Sequence, residues 1–242
     1  MAGNQFPATR HSLVQALNSA DPEFRRRAFD TLVRSYWKPV YKYVRLRWHA
    51  DPEDAEDLTQ DFFAQAFEKG HLDKYDPSKA RFRTFLRVCV DGAVANARKA
   101  GARLKRGGGV IFVPMDFPAA ERETLAVQAD QGDGPDEFFR REWIRSLFEL
   151  GLGRLENECR STGKQTSFEL FRRYDVERER GISAPTYAGL ATAFGIPETQ
   201  VTNLLAHARR RFRHHVLEVL TELTASDQEL AAEARDILGA PV

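Results

Sequence analysis

Three aspartates stand at i, i+3 and i+7 in the run Asp54-Ala55-Glu56-Asp57-Leu58-Thr59-Gln60-Asp61-Phe62-Phe63. On a helix, this spacing puts Asp54, Asp57 and Asp61 on one face. Leu58, Phe62 and Ala66 form an apolar stripe beside them. Like charges at these spacings repel, and a basic partner relieves the repulsion. The face therefore reads as a docking surface for a cationic protein, with Phe62 and Phe63 as an exposed aromatic pair. The plainer alternative is a solvated helix whose first-turn acids answer the helix dipole. A divalent-cation site is disfavoured, because the carboxylates spread over two turns without a converging histidine.

A second stretch is as basic as the first is acidic. Arg81, Arg83, Arg87, Arg98, Lys99, Arg103, Lys105 and Arg106 oppose a single acid, Asp91, and Phe82 and Phe85 are interleaved among them. Such a cluster suits phosphate, and aromatics can stack on unpaired bases. For the two phenylalanines, packing in the core is the preferred reading.

A third pattern lies at Tyr187–Val201. A tight helical corner needs a small residue in its first helix, a turn residue tolerant of positive φ, and an apolar anchor in its second. Ala191, Gly195 and Val201 supply these, with Leu190, Phe194, Ile196, Leu204 and Leu205 as the small core. Ser183 or Thr186 is a suitable cap for the first helix, and Pro197 and Glu198 begin the second. Thr199, Gln200, Thr202, Asn203 and His207 then face outward as short polar readers of base edges, and Arg209, Arg210, Arg211 and Arg213 suit phosphates. A plain helical hairpin is the alternative.

No arrangement selects catalysis or a metal. His207, His214 and His215 are not read as a metal cluster with carboxylates; a solvated or phosphate-facing role is preferred. Gly107–Gly109 is followed by no Gly-Lys-Ser/Thr, and HExxH, GxSxG and Cys/His pairs are absent. Cys89 and Cys159 fit neither a disulfide framework nor a zinc site and read as small apolar residues. The expectation is a chain with no catalytic residues, no metal and no cofactor.

The elements that must position these residues are helical. Phe24, Ala28, Leu32, Tyr36 and Val40 recur every four positions, with Pro39 as the start of a second helix. Asp51-Pro52 opens the acidic helix, which should end near Gly70, and Asp73–Lys79 is a turn. A helix over about 80–98 should bury Phe82, Phe85, Leu86, Cys89, Ala93 and Ala97. Residues 101–135 hold many glycines and prolines, with only Val110–Val113 resembling a strand, and read as an extended linker. Helices are expected over 136–158 and 167–179, then a loop over 181–185. The helix-turn-helix should run to about Thr224, and a short amphipathic helix should cover 226–238. The fold class is all-α, with two small helical domains. The boundaries are an N-terminal segment 1–21, a first domain 22–100, a linker 101–135, a second domain 136–224 and a tail helix 225–242.

Net charge is only +1 over 242 residues, so the nucleic-acid reading rests on segregated charge and not on its sum. A hydrophobic share of 42% and a charged share of 29% are those of a folded domain. No signal-peptide run or long apolar span occurs, so no membrane partner and a cytoplasmic location are expected.

On these residues the chain resembles the sigma-70 family of bacterial RNA polymerase sigma factors, and within it the compact extracytoplasmic-function type. The resemblance covers roughly residues 22–220. It implies a region 2 helical bundle and a region 4 helix-turn-helix, with core RNA polymerase (the β′ clamp helices and the β flap) and promoter DNA as partners, and an anti-sigma protein or other regulator besides. Asp54, Asp57, Leu58, Asp61 and Phe62 would bind the polymerase. The turn 73–80 and the helix beginning Phe82-Arg83-Thr84-Phe85-Leu86 would face the −10 element, which implicates Lys74, Tyr75, Lys79, Arg83, Phe85, Arg87, Asn96, Arg98 and Lys99. Thr186, Thr199, Gln200, Thr202, Asn203, His207, Arg209, Arg210 and Arg211 would face the −35 element. The chain departs from the family where Asp91 replaces the usual Asn, at Gly92, and at Phe85, which is Trp in many relatives; an acid facing DNA at Asp91 would repel phosphate. A stand-alone helix-turn-helix regulator is the competing class, and a metal-dependent nuclease using Asp54 and Asp57 is a third with little support.

Overall fold

The computed structural model describes residues 16–17, 19–99, 113–127, 134–177 and 185–239. The expected strand at 110–113, the glycine run 107–109, Arg103, Lys105, Arg106 and Ser183 fall wholly or largely outside them. Among the described residues the chain is all-α with no strand. It divides into a first unit, 1–146 with 220–242, and a second, 147–219.

The first unit is built around α1, Pro22–Arg47. Asp21 caps it, its carboxylate accepting from the Glu23 and Phe24 amides, and Pro22 fills the first turn. The helix runs unbroken through Pro39, where a second helix was expected to start. An interior proline costs about 3 kcal/mol. Burial offsets it, because Leu32, Val33, Tyr36, Trp37, Val40, Tyr41, Tyr43 and Val44 are all sequestered, and each large apolar side chain contributes roughly 1.5–3 kcal/mol. Over 35–44 nearly every residue is buried, which marks this part of the helix as the centre of its unit.

Against α1 packs α2, Pro52–Lys69, capped by Asp51 and stopped by Gly70 in the left-handed region at φ 60°. A short 3₁₀ turn, His71–Lys74, leads towards α3, Phe82–Lys99. Phe82, Leu86, Val90 and Val94 bury at i, i+4, i+8 and i+12. Phe85, Cys89, Ala93 and Ala97, expected on that face, are only half-buried.

The stretch read as a linker contains a helix, α4, Phe117–Val127. Its N-terminus is capped by Asp116, which accepts from the Ala119 amide at 2.9 Å. Phe117 packs edge-on to Trp37 at 5.3 Å, and Ala120 and Thr124 are buried. Glu121 pairs with Arg45 and Glu123 with Lys42. Eleven residues between prolines and glycines carry too little periodicity to announce a helix; the partners on α1 supply the reason for it.

Next comes α5, Pro135–Ser161, whose Phe138, Phe139 and Trp143 are buried in the first unit. Trp143 stacks on Tyr36 at 5.9 Å. The carboxylate of Glu142 accepts from Lys42 Nζ at 2.8 Å, both groups being almost wholly buried. The division between units falls after Ser146, inside α5, and not in the stretch 101–135.

In the second unit the rest of α5 is followed by α6, Gln165–Phe171, which passes into a π-helical turn at Arg172–Val176. Then come α7, Tyr187–Phe194, and α8, Glu198–Leu223. Leu155, Cys159, Phe168, Leu170, Phe171, Leu190, Val201, Leu205 and Ala208 form the core, with Phe194, Ile196 and Leu204 packed at its edge. The last helix, α9, Asp227–Leu238, belongs to the first unit and is capped by Ser226.

Candidate functional site

The acidic face of α2 is present as expected, but its aromatic pair is not exposed. Asp54 is exposed, and Asp57, Leu58 and Asp61 are half-buried. Burial, with the neighbouring Asp57 charge, pushes the Asp61 carboxyl above its usual value. Phe62 and Phe63 are 7% and 1% exposed and pack edge-on at 5.1 Å. They fall on the same side as Ala55, Thr59 and Ala66, which turns both rings into the core. Phe62 therefore supports this face from behind and presents no ring at the surface.

The residues that the resemblance assigns to the −10 element lie at the turn before α3 and along α3 itself. Tyr75, Phe82 and Phe85 form an aromatic group, with Tyr75 5.0 Å from Phe82 and 5.4 Å from Phe85. Phe82 is core, as the packing reading has it, whereas Phe85 is only half-buried. Tyr75 is buried, its hydroxyl within reach of the Ala80 carbonyl at 3.0 Å and the Glu229 carboxylate at 3.2 Å. Burial and that carboxylate push its phenol well above the ordinary value. Lys74, Lys79, Asn96, Arg98 and Lys99 are exposed. Lys79 pairs loosely with Asp76 at 3.4 Å, and Arg98 donates to the Trp48 carbonyl and lies over its ring at 5.1 Å.

Much of the basic charge is answered within the first unit. Arg83 pairs with Glu233 and lies over Trp143 at 5.3 Å. Arg87 donates to Asp91 and Asp136, both at 2.5 Å. The lopsided sequence stretch is thus balanced, at these positions, by acids from α5 and α9.

Asp91 does not project a bare charge. Its carboxylate accepts from Tyr43 Oη at 3.0 Å, Trp48 Nε1 at 2.8 Å and Arg87 Nη1 at 2.5 Å. This ties α3 to the end of α1 and corrects the expectation of an acid turned towards phosphate. Burial pushes the Tyr43 phenol upward, and Arg87 opposes it.

In the second unit α7 and α8 meet at a tight turn. Thr186 caps α7, its hydroxyl accepting from the Gly189 amide at 3.0 Å. Gly195 takes φ 65°, and the Ile196 amide closes back on the Ala191 carbonyl at 3.0 Å. Val201 is fully buried. Thr199, Gln200, Thr202 and Asn203 are exposed along one end of α8, with His207 half-buried beyond them. Thr202 Oγ1 donates to the Glu198 carbonyl at 3.1 Å and keeps its acceptor capacity.

The three arginines after this row differ. Arg210 is exposed. Arg209 is held by Asp175 at 2.9 Å over the Tyr174 ring, and Arg211 by Glu158 at 2.9 Å. These half-exposed pairs contribute about 0–1 kcal/mol each, little enough for phosphate to replace the carboxylate.

The sequence reading missed the carboxylates of α9 that meet Arg81, Arg83 and Tyr75. Their signal was present, since Glu229, Glu233 and Asp236 stand at i, i+4 and i+7. Among the described residues no group of histidine, cysteine and carboxylate side chains could hold a metal ion. No described helix is long and apolar enough to cross a membrane. Both cysteines are unpaired thiols, Cys159 buried and Cys89 half-buried.

Comparison with curated proteins and with solved structures returned no match. A family model does match: residues 32–104 correspond to Sigma-70 region 2. That span runs from the core of α1 through the acidic helix and the whole of α3. The segment bearing the acidic face and the aromatic-basic surface is therefore similar to sigma-70 region 2, which supports a sigma-70 family sigma factor with a role in promoter recognition by RNA polymerase.

Proposed function

We propose that the chain is a promoter-specificity factor of the extracytoplasmic-function type. It binds core RNA polymerase through α2, faces −10 DNA with α3 and the turn before it, and reads −35 DNA with α8. The region 2 match over residues 32–104 carries this reading. Asp54, Asp57 and Asp61 supply the anionic face for a basic partner, with Leu58 beside them. The row Thr199, Gln200, Thr202 and Asn203 stands exposed at the start of a helix whose turn geometry fits major-groove entry. None of these roles requires a catalytic group, so specificity comes from binding alone.

The test is co-purification with bacterial core polymerase, followed by transcription from a randomised promoter library. Binding and transcripts sharing a −35/−10 pair are expected. Asp57→Arg should abolish co-purification while leaving helical circular dichroism unchanged; polymerase binding that survives this substitution contradicts the assigned face. Tight binding to a palindromic site without polymerase would instead indicate a stand-alone regulator.

A further inference from the structure

Within the first unit, α9 meets the start of α3 through an acidic face. Glu229, Glu233 and Asp236 lie along one side of the helix. Glu229 accepts from the Phe82 amide at 2.9 Å and lies 3.2 Å from the Tyr75 hydroxyl. Glu233, 2% exposed, pairs with Arg83 and lies 3.4 Å from Arg81. Asp236 reaches Arg81 at 3.2 Å and Arg140 at 3.2 Å. Arg83 is left 11% exposed.

Closing the core would need only Leu230 and Ala234, which are buried on this helix. The carboxylates add something different, a row of anionic oxygens on guanidinium groups. Phosphate makes the same kind of contact. The arrangement is also costly to hold. Burial pushes the Glu233 carboxyl above its usual value despite Arg83 and Arg81 beside it, and a buried ion pair gains little over its desolvation cost. A flexible polyanion that leaves its counter-charges partly solvated therefore competes on favourable terms.

We propose that α9 is an internal anionic ligand of the −10-facing surface, so that a nucleic-acid strand and α9 compete for Tyr75, Arg81 and Arg83. The inference rests on the promoter-recognition reading of that surface. Occupied by α9, the surface is closed to DNA; exchanged for a strand, it opens.

The first measurement is binding of a labelled single-stranded oligodeoxynucleotide to the full chain by fluorescence anisotropy. The triple variant Glu229→Gln, Glu233→Gln, Asp236→Asn should bind about tenfold tighter than the parent at equal salt. Adding Arg83→Ala should remove that gain. Equal affinities of parent and triple variant overturn the proposal. So does a gain that survives Arg83→Ala, since it would reflect net charge alone. The unmodified chain supplies an independent check: saturating oligonucleotide should speed amide hydrogen exchange over 227–238, and unchanged protection there with oligonucleotide bound overturns the proposal. A chain that forms holoenzyme and initiates equally well with and without the triple substitution keeps the promoter reading and overturns the competition. A chain that never binds polymerase, yet loses α9 protection to the oligonucleotide, does the reverse.

Discussion

Asp91 shows how one side chain can reverse a reading. It stands where an amide is usual in the resembling family, yet both its oxygens are used within the molecule, by Tyr43 and Trp48 on one and Arg87 on the other. An amide at this position would turn its NH₂ towards at least one of these donors and give up the charge that Arg87 meets. Asp91→Asn is therefore expected to lower stability by about 1–3 kcal/mol, the cost of leaving such groups unmatched, as measured by urea unfolding. A neutral outcome would mean the three donors find water instead. At the same scale, Gln200→Ala and Asn203→Ala should each shift −35 preference by about 1–3 kcal/mol per lost base contact. Selection of an unchanged −35 motif by these variants would count against the assigned readers.

Among the elements, α5 carries two glycines whose roles differ. A Cβ on Gly151 would lie 2.7 Å from Val216 Cγ2 and 3.4 Å from the Val216 amide nitrogen, so its bare backbone lets α5 and α8 approach within the second unit. A Cβ on Gly153 would meet nothing within 4 Å. Helix propensity alone favours alanine at either site by about 1 kcal/mol. Gly153→Ala should therefore stabilise by roughly that amount, while Gly151→Ala should destabilise because the steric penalty exceeds the gain. Thermal unfolding of the two variants decides it, and shifts of the same sign would contradict the close approach. Helix existence was largely legible in the sequence: the caps at Asp51, Thr186 and Ser226 and the stops at Gly70 and Gly195 all lie where local chemistry places them. The exceptions, the run through Pro39 and the helix at 117–127, both depend on partners distant in sequence.

At the scale of the whole molecule, stability is linked to pH through carboxylates held by arginines. The hydrogen bond from Arg45 holds the Glu121 carboxyl below the usual range, and that from Arg211 does the same for Glu158. A carboxyl that is more acidic when folded contributes stability above its unfolded pKa and loses it as pH falls through the folded value. Glu233 has the opposite sign: its raised value means its contribution declines as pH rises. Such depressed groups, present in both units, are expected to give an unfolding temperature that drops on acidification below the usual carboxylate range. Glu121→Gln should be less stable than the parent near neutrality and show a shallower loss in acid. A variant with the parent's full acid sensitivity would remove Glu121 from that account.

The sequence by itself determined the all-helical class, the acidic face of α2, the exposed polar row on α8 and the turn at Gly195, because each depends on spacings within a few residues. Tertiary structure decided what those residues meet. It turned Phe62 and Phe63 into the core, made Asp91 a hub, folded α4 from a stretch read as a linker, and set Arg81 and Arg83 against carboxylates of α9 more than 145 residues away in the chain. Local spacing fixes which face of a helix a side chain occupies, but only packing between distant segments fixes whether that face ends against solvent, core or an opposite charge.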